Sequence, residues 1–172
     1  MNYKTHSISG LGTGLIASKY LIQPNTINAS ELILLSSIVI ASSILGSLFP
    51  DIDKNNSFAG NRAKIISSPI QFIFSHRGLF HSPIFNLILL VFFNLGLSRF
   101  NINPSFQYAI VLGFGIGLFS HLLLDMFNKK GIPLFLPFKN KHYRIIGFKM
   151  GGILELLFNV AVIIFFIIIL IM

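Results

Sequence analysis

The sequence predicts an all-α, polytopic membrane bundle of about five spans with its N-terminus in the cytoplasm. Two compositional facts and one pattern predict it. Hydrophobic residues make up 53% of the 172 positions and charged residues only 10%, where a soluble domain carries about 25% charge. Mean hydropathy is +0.79. The third observation is where the few cations fall: they alternate between rich and poor gaps along the chain, as the loops of a multi-pass protein do.

Five apolar segments follow in order. The first, His6 to Ile22, is Gly-rich, contains Lys19 and reads as a retained span rather than a leader. Glu31 to Phe49 is strongly apolar and stops at Pro50. Pro83 to Leu97 is short but rich in Phe and Leu, and Phe106 to Phe127 is long. Ile153 to Met172 is a nearly pure Ile/Phe run. A span needs about 17–25 apolar residues, so the first and third segments need support from neighbouring helices. Ile65 to Phe74 is too short to cross and reads as an interfacial or re-entrant helix. Gly10/Gly14 and Gly113/Gly117 each have the GxxxG spacing that lets helices approach closely. The whole chain, 1–172, reads as one membrane-embedded domain.

Orientation follows from the cations. The 50–82 loop holds Lys54, Arg62, Lys64 and Arg77, and the 128–152 loop holds Lys129, Lys130, Lys139, Lys141, Arg144 and Lys149. The opposite gaps are nearly bare, which places both loops in the cytoplasm. The net charge of +8 therefore reads as loop charge facing membrane lipid, and no nucleic-acid partner is expected. There is no Cys, so any metal must be held by His, carboxylate, amide or water.

The ionisable residues then fall at one face. The five acids are Glu31, Asp51, Asp53, Asp125 and Glu155, and the five histidines are His6, His76, His81, His121 and His142. On the five-span topology every span brings at least one ligand-capable group to the cytoplasmic face, and only Glu31 lies opposite. His121 and Asp125 are four apart on one helix face, inside an apolar span. Asp51 and Asp53 point the same way if the chain is extended after Pro50. His76, Arg77 and His81 precede a helix whose N-terminus favours anions. Plainer roles exist for each: turn formation for Asp51 and Asp53, a favourable first-turn charge for Glu155, a positive-inside anchor for Arg77. Jointly they favour a divalent cation, because uncompensated carboxylates near lipid are costly.

The stretches GSLFPDID, SHRGLFHS and SHLLLDMFNKKGIPLFLPF, with the late Glu155, resemble the YdjM-type family of membrane-bound proteins classed as metal-dependent hydrolases. That resemblance runs from His6 to Glu155 and implies a bacterial inner-membrane (or archaeal plasma-membrane) location. More loosely, the order of Asp, His and HxxxD is similar to that of all-helical zinc-dependent phospholipases C. This chain lacks their N-terminal Trp ligand, having no Trp.

Three functions are open at this point. The leading one is a metal-dependent hydrolase at the cytoplasmic membrane face, acting on a phosphoester or lipid-like substrate. His6, Asp51, Asp53, His81, His121 and Asp125 would hold the metal. Zn²⁺ comes first, with Mn²⁺ or Fe²⁺ as alternatives. Glu155 would serve as ligand or general base, and Arg77 and His76 would face the substrate. The others are a non-catalytic membrane organiser with structural metal, and an ion or proton transporter. Against the transporter, no relay of ionisable residues crosses to the far face.

Overall fold

The computed structural model of the chain describes residues 2–22, 27–54, 57–62, 64–65, 67–68, 78–147 and 152–172. The described residues form helices: α1 Tyr3–Leu21, α2 Ala29–Leu48, the short α3 Phe58–Arg62, α4 Pro83–Leu97, α5 Pro104–Met126 and α6 Ile153–Ile171. Their boundaries lie within three residues of the five expected segments. The span from Ile65 to Phe74 falls mostly outside the described residues. Four helical stretches, Ala29–Asp53, Pro83–Phe100, Pro104–Met126 and Ile153–Ile171, are long and apolar enough to cross a membrane. α1 has the length but not the apolarity. It is held instead by packing against α2, α5 and α6.

Local chemistry sets the ends. Asn28 caps α2, its side chain accepting from the Glu31 N–H at 2.8 Å. Asn103 caps α5 by accepting from Ser105 N–H at 2.9 Å, with Pro104 at the first helical position. After α2 the chain does not extend. Pro50 instead starts a 3₁₀ turn, Phe49–Asp53, because its fixed φ suits the first turn of a helix.

The central layer is α2, clasped between α1 and α5. Both GxxxG pairs face it. A methyl group on Gly14 would stand 2.9 Å from Ile40 Cα, and one on Gly117 would stand 2.8 Å from the Ser47 backbone nitrogen. Neither spot has room for a side chain, so the small residues set the interhelical distance. A buried hydrogen bond crosses the same seam, from Ser43 Oγ to Gly10 O at 2.8 Å.

Helices α4 and α6 lie outside and present Phe, Leu and Ile outward. α6 runs parallel to α1 and is tied to it at both ends. Lys19 Nζ donates to Leu170 O at 2.7 Å and Tyr20 O–H to Ile169 O at 3.2 Å, satisfying carbonyls that a helix end leaves open. At the other end, Glu155 meets Asn2 and Thr5. The buried apolar core, including Ala17, Leu35, Val39 and Ala109, fills the bundle toward the α1 C-terminus. The opposite end is filled by polar residues.

Candidate metal centre

Five ionisable side chains are sealed inside that polar end. His6, Asp53, His81 and His121 have no exposed surface and Asp125 is 1% exposed. They come from four elements: α1, the turn after α2, the 3₁₀ turn Leu79–His81 before α4, and the last turns of α5.

The hydrogen bonds determine which nitrogens face inward. His121 Nδ1 lies 2.7 Å from the Ser47 carbonyl. A carbonyl only accepts, so Nδ1 carries the hydrogen, and the neutral ring turns the lone pair of Nε2 to the centre. His81 Nδ1 lies 3.2 Å from Asp53 Oδ2. That contact is an ion-pair approach rather than a hydrogen bond, and His81 Nε2 is the nitrogen that faces His121 and Asp125. The two Nε2 atoms are 3.3 Å apart. Asp125 Oδ2 completes a triangle, 3.6 Å from His81 Nε2 and 3.9 Å from His121 Nε2. The two Nε2 atoms share a hydrogen bond, and with that proton lost three electron-pair donors would converge on one point. Asp125 Oδ1 turns the other way, 3.6 Å from His6 Nε2.

His6 stacks flat on His121, with centroids 3.8 Å apart and planes at 15°. Neither ring nitrogen of His6 has a hydrogen-bond partner among the described residues, an expensive state for a buried polar group. Donor atoms of His6, His121 and Asp125 lie within 4.8 Å of one another, as do those of Asp51, His81 and His121.

This donor set fits a small divalent cation. Ligands about 2.0–2.1 Å from a tetrahedral zinc stand about 3.3 Å from each other. Imidazole nitrogens oriented through their other nitrogen by a carboxylate or a carbonyl are the usual support of such a site.

Glu155 is set apart from the cluster. Its Oε1 accepts from Asn2 N–H at 2.8 Å and from Thr5 Oγ1 at 3.0 Å. It therefore anchors the first turn of α1, one residue before His6. Glu155→Ala is expected to lower stability by about 1.5–3 kcal/mol, the range for hydrogen bonds to a charged group. Glu155→Gln, which keeps the accepting oxygen, should recover most of it; thermal melts in detergent test both. His76 and Arg77 lie outside the described residues. His142 is exposed in the 128–152 loop.

Some supports carried no sequence signal. Ser47 contributes a backbone carbonyl, which any residue could offer. Asn86 Nδ2 donates to the carbonyls of Phe80 and Ser82, both at 2.9 Å, and so holds the turn that carries His81. An amide inside an apolar segment was the available clue. Ser82 Oγ donates to Leu136 O at 2.7 Å and ties the 128–152 loop to the same turn.

The family model described as "YdjM inner membrane protein" matches residues 1–172. The chain belongs to the YdjM family. It is 39% identical over 99 residues to inner membrane protein YdjM of Escherichia coli strain K12, covering 58% of this chain and 49% of that protein. The match to the Shigella flexneri protein of that name has the same figures. YvsG of Bacillus subtilis strain 168 is 30% identical over 138 residues, 80% of this chain and 74% of its own. The chain spans about half the length of the first two relatives it matches. No solved structure matches. YdjM membership and the apolar helices together support a multi-pass inner-membrane location.

Proposed function

We propose that this YdjM-family chain is a metal-dependent hydrolase working at the cytoplasmic face of the membrane on a phosphoester or lipid-like substrate. One observation carries the reading: His81 Nε2, His121 Nε2 and Asp125 Oδ2 face one another at 3.3–3.9 Å. With no ion present a proton shared between the two Nε2 atoms joins the rings, and a divalent cation in that proton's place would be held by all three groups and would also offset the buried Asp125 charge.

In this reading His81, His121 and Asp125 hold the metal, with Asp51 and His6 available to complete its shell. The Ser47 carbonyl keeps His121 in the required tautomer, and the Asp53 carboxylate beside His81 Nδ1 favours the same tautomer there electrostatically. Zn²⁺ suits the donors best, and Mn²⁺ or Fe²⁺ suit them next. The bound ion would supply a water acidic enough to act near neutral pH and an electrophile for the scissile oxygen. Glu155 positions the α1 turn that presents His6. Arg77 and His76, a few residues before His81 in the sequence, have the chemistry to hold an anionic group.

A second reading has a specific observation behind it. Complete burial of the donors suits a structural ion that locks α1, the α2 turn and α5 together, without turnover.

Metal content decides first. Protein purified in mild detergent without chelator is expected to carry near-stoichiometric Zn, Mn or Fe by mass spectrometry, and His121→Ala to carry almost none. Wild-type protein that stays metal-free after incubation with each ion would end the metal readings. Metal-loaded protein that releases nothing from phosphate monoesters, phosphodiesters and phospholipids would leave the structural ion.

A further inference from the structure

Behind the cluster, on the outward side of α5, lies a groove that none of the donors enters. It has a volume of about 700 Å³ and is walled by α1, α4, α5 and α6. Its inner wall is made by the same turns that carry the donors: Ser120 and Leu124 adjoin His121 and Asp125, and Ser9 lies one turn after His6.

Three features define what it can hold. First, its surface is carbon, apart from three hydroxyl residues. Thr13 Oγ1 donates to Ser9 O at 2.9 Å and Ser120 Oγ to Gly117 O at 2.8 Å, so both hydroxyl hydrogens are spent on their own helices. Only Ser9 and the remaining lone pairs of these hydroxyls are left for a polar occupant, on a wall that is otherwise carbon. Second, the groove follows α5 from Gly115 to Phe127, which is roughly 18 Å at about 1.5 Å per residue. One leaflet of a bilayer has a hydrocarbon depth of about 15 Å. Third, the space is too small for another span: a helix about 10 Å wide crossing the membrane needs on the order of 2,000 Å³.

We infer that this groove takes a single acyl chain of a cytoplasmic-leaflet lipid and thereby brings that lipid's headgroup to the end of the bundle where the metal cluster lies. The inference rests on the hydrolase reading for its consequence, that the substrate is a lipid drawn sideways from the bilayer. The groove itself does not depend on turnover. Leu123 on α5 and Ala161 on α6 are exposed into it, so larger side chains there fill the groove without entering the helix seams.

The test uses a phosphatidylglycerol with a photoreactive diazirine midway along one acyl chain, added to the full chain in detergent. After irradiation, labelled residues are mapped by peptide mass spectrometry. The expected result is labelling of Phe119, Leu123, Phe158 and Val162 at least about tenfold above Phe92 and Leu95, which face outward on α4. Excess unlabelled lipid should compete it away, and Ala161→Phe should suppress it with an unchanged melting temperature. His121→Ala should retain it. Labelling spread evenly over groove and outward faces, or indifferent to competitor, overturns the groove whatever the protein hydrolyses. Saturable groove labelling in metal-loaded protein that hydrolyses no lipid supports the groove and removes the lipid as substrate instead.

Discussion

An Asp125→Ala protein is expected to purify without metal and to lose hydrolysis by a factor on the order of 10³ or more, since one carboxylate serves the whole cluster. Its Oδ2 faces His81 and His121, while its Oδ1 faces His6. Stability gives an independent reading with a definite sign. A cation that binds only the folded state stabilises it by mass action. Chelator should therefore lower the Tm of the wild-type protein, leaving Asp125 as a buried charge without its cation. Asp125→Asn removes that charge and weakens metal binding, so chelator should scarcely move its Tm. In chelator the two Tm values should approach each other or invert. A chelator shift of equal size in both proteins would show that the metal is held elsewhere. Phosphoester release and metal content, measured on the same preparations, complete the comparison.

Gly117→Leu is expected to prevent the bundle from forming. Gly117 lies against the Ser43–Ser47 backbone of α2, and that backbone cannot move aside as the end of a side chain can. Overpacking usually costs about 1–3 kcal/mol, and forcing helix backbones apart lies at or beyond the upper end. The same wedge displaces the Ser47 carbonyl from His121. Gly96→Leu is the matched control, because nothing lies within 4 Å of a methyl group placed there. Size-exclusion profiles and thermal melts in detergent should show Gly96→Leu behaving as wild type and Gly117→Leu aggregated or unfolded. A monodisperse Gly117→Leu protein with wild-type Tm would mean that the α2–α5 seam is not as close as described.

Much of this arrangement was legible before any coordinates. Lipid as solvent forces backbone groups to be satisfied within helices, so composition and apolar run length were enough to locate the spans. His121 and Asp125 stood out because an ionisable pair at helical spacing inside an apolar run has few structural uses. Asp53 was legible as a candidate but its role was not. It orients His81, which depends on a contact across the sequence that no local pattern encodes. The expected alignment of Asp51 with Asp53 assumed an extended chain. Pro50 instead continues the helical direction into a 3₁₀ turn, and Asp53 is buried on His81 while Asp51 is partly open. Glu155 was identified with a chemical role in view, whereas its carboxylate lies on Asn2 and Thr5. Sequence spacing places a residue at an end of the bundle but does not say which neighbour it meets there. α1 was the weakest span to read, because its glycines and hydroxyls are matched to α2 rather than to lipid.

The stack of His6 on His121 has a consequence for biosynthesis. A ribosome releases the N-terminus first, and α1 and α2 can enter the bilayer and close on each other through their own seam. His6 then waits, because both its stacking partner and the carboxylate it faces belong to α5, more than a hundred residues later. The tie from Glu155 to the start of α1 arrives later still, with α6. If the cluster holds a metal, as proposed, loading would be a late event in the life of each chain, after nearly all of its helices have been inserted, and a chain stalled before α5 would present His6 with nothing to share an ion with.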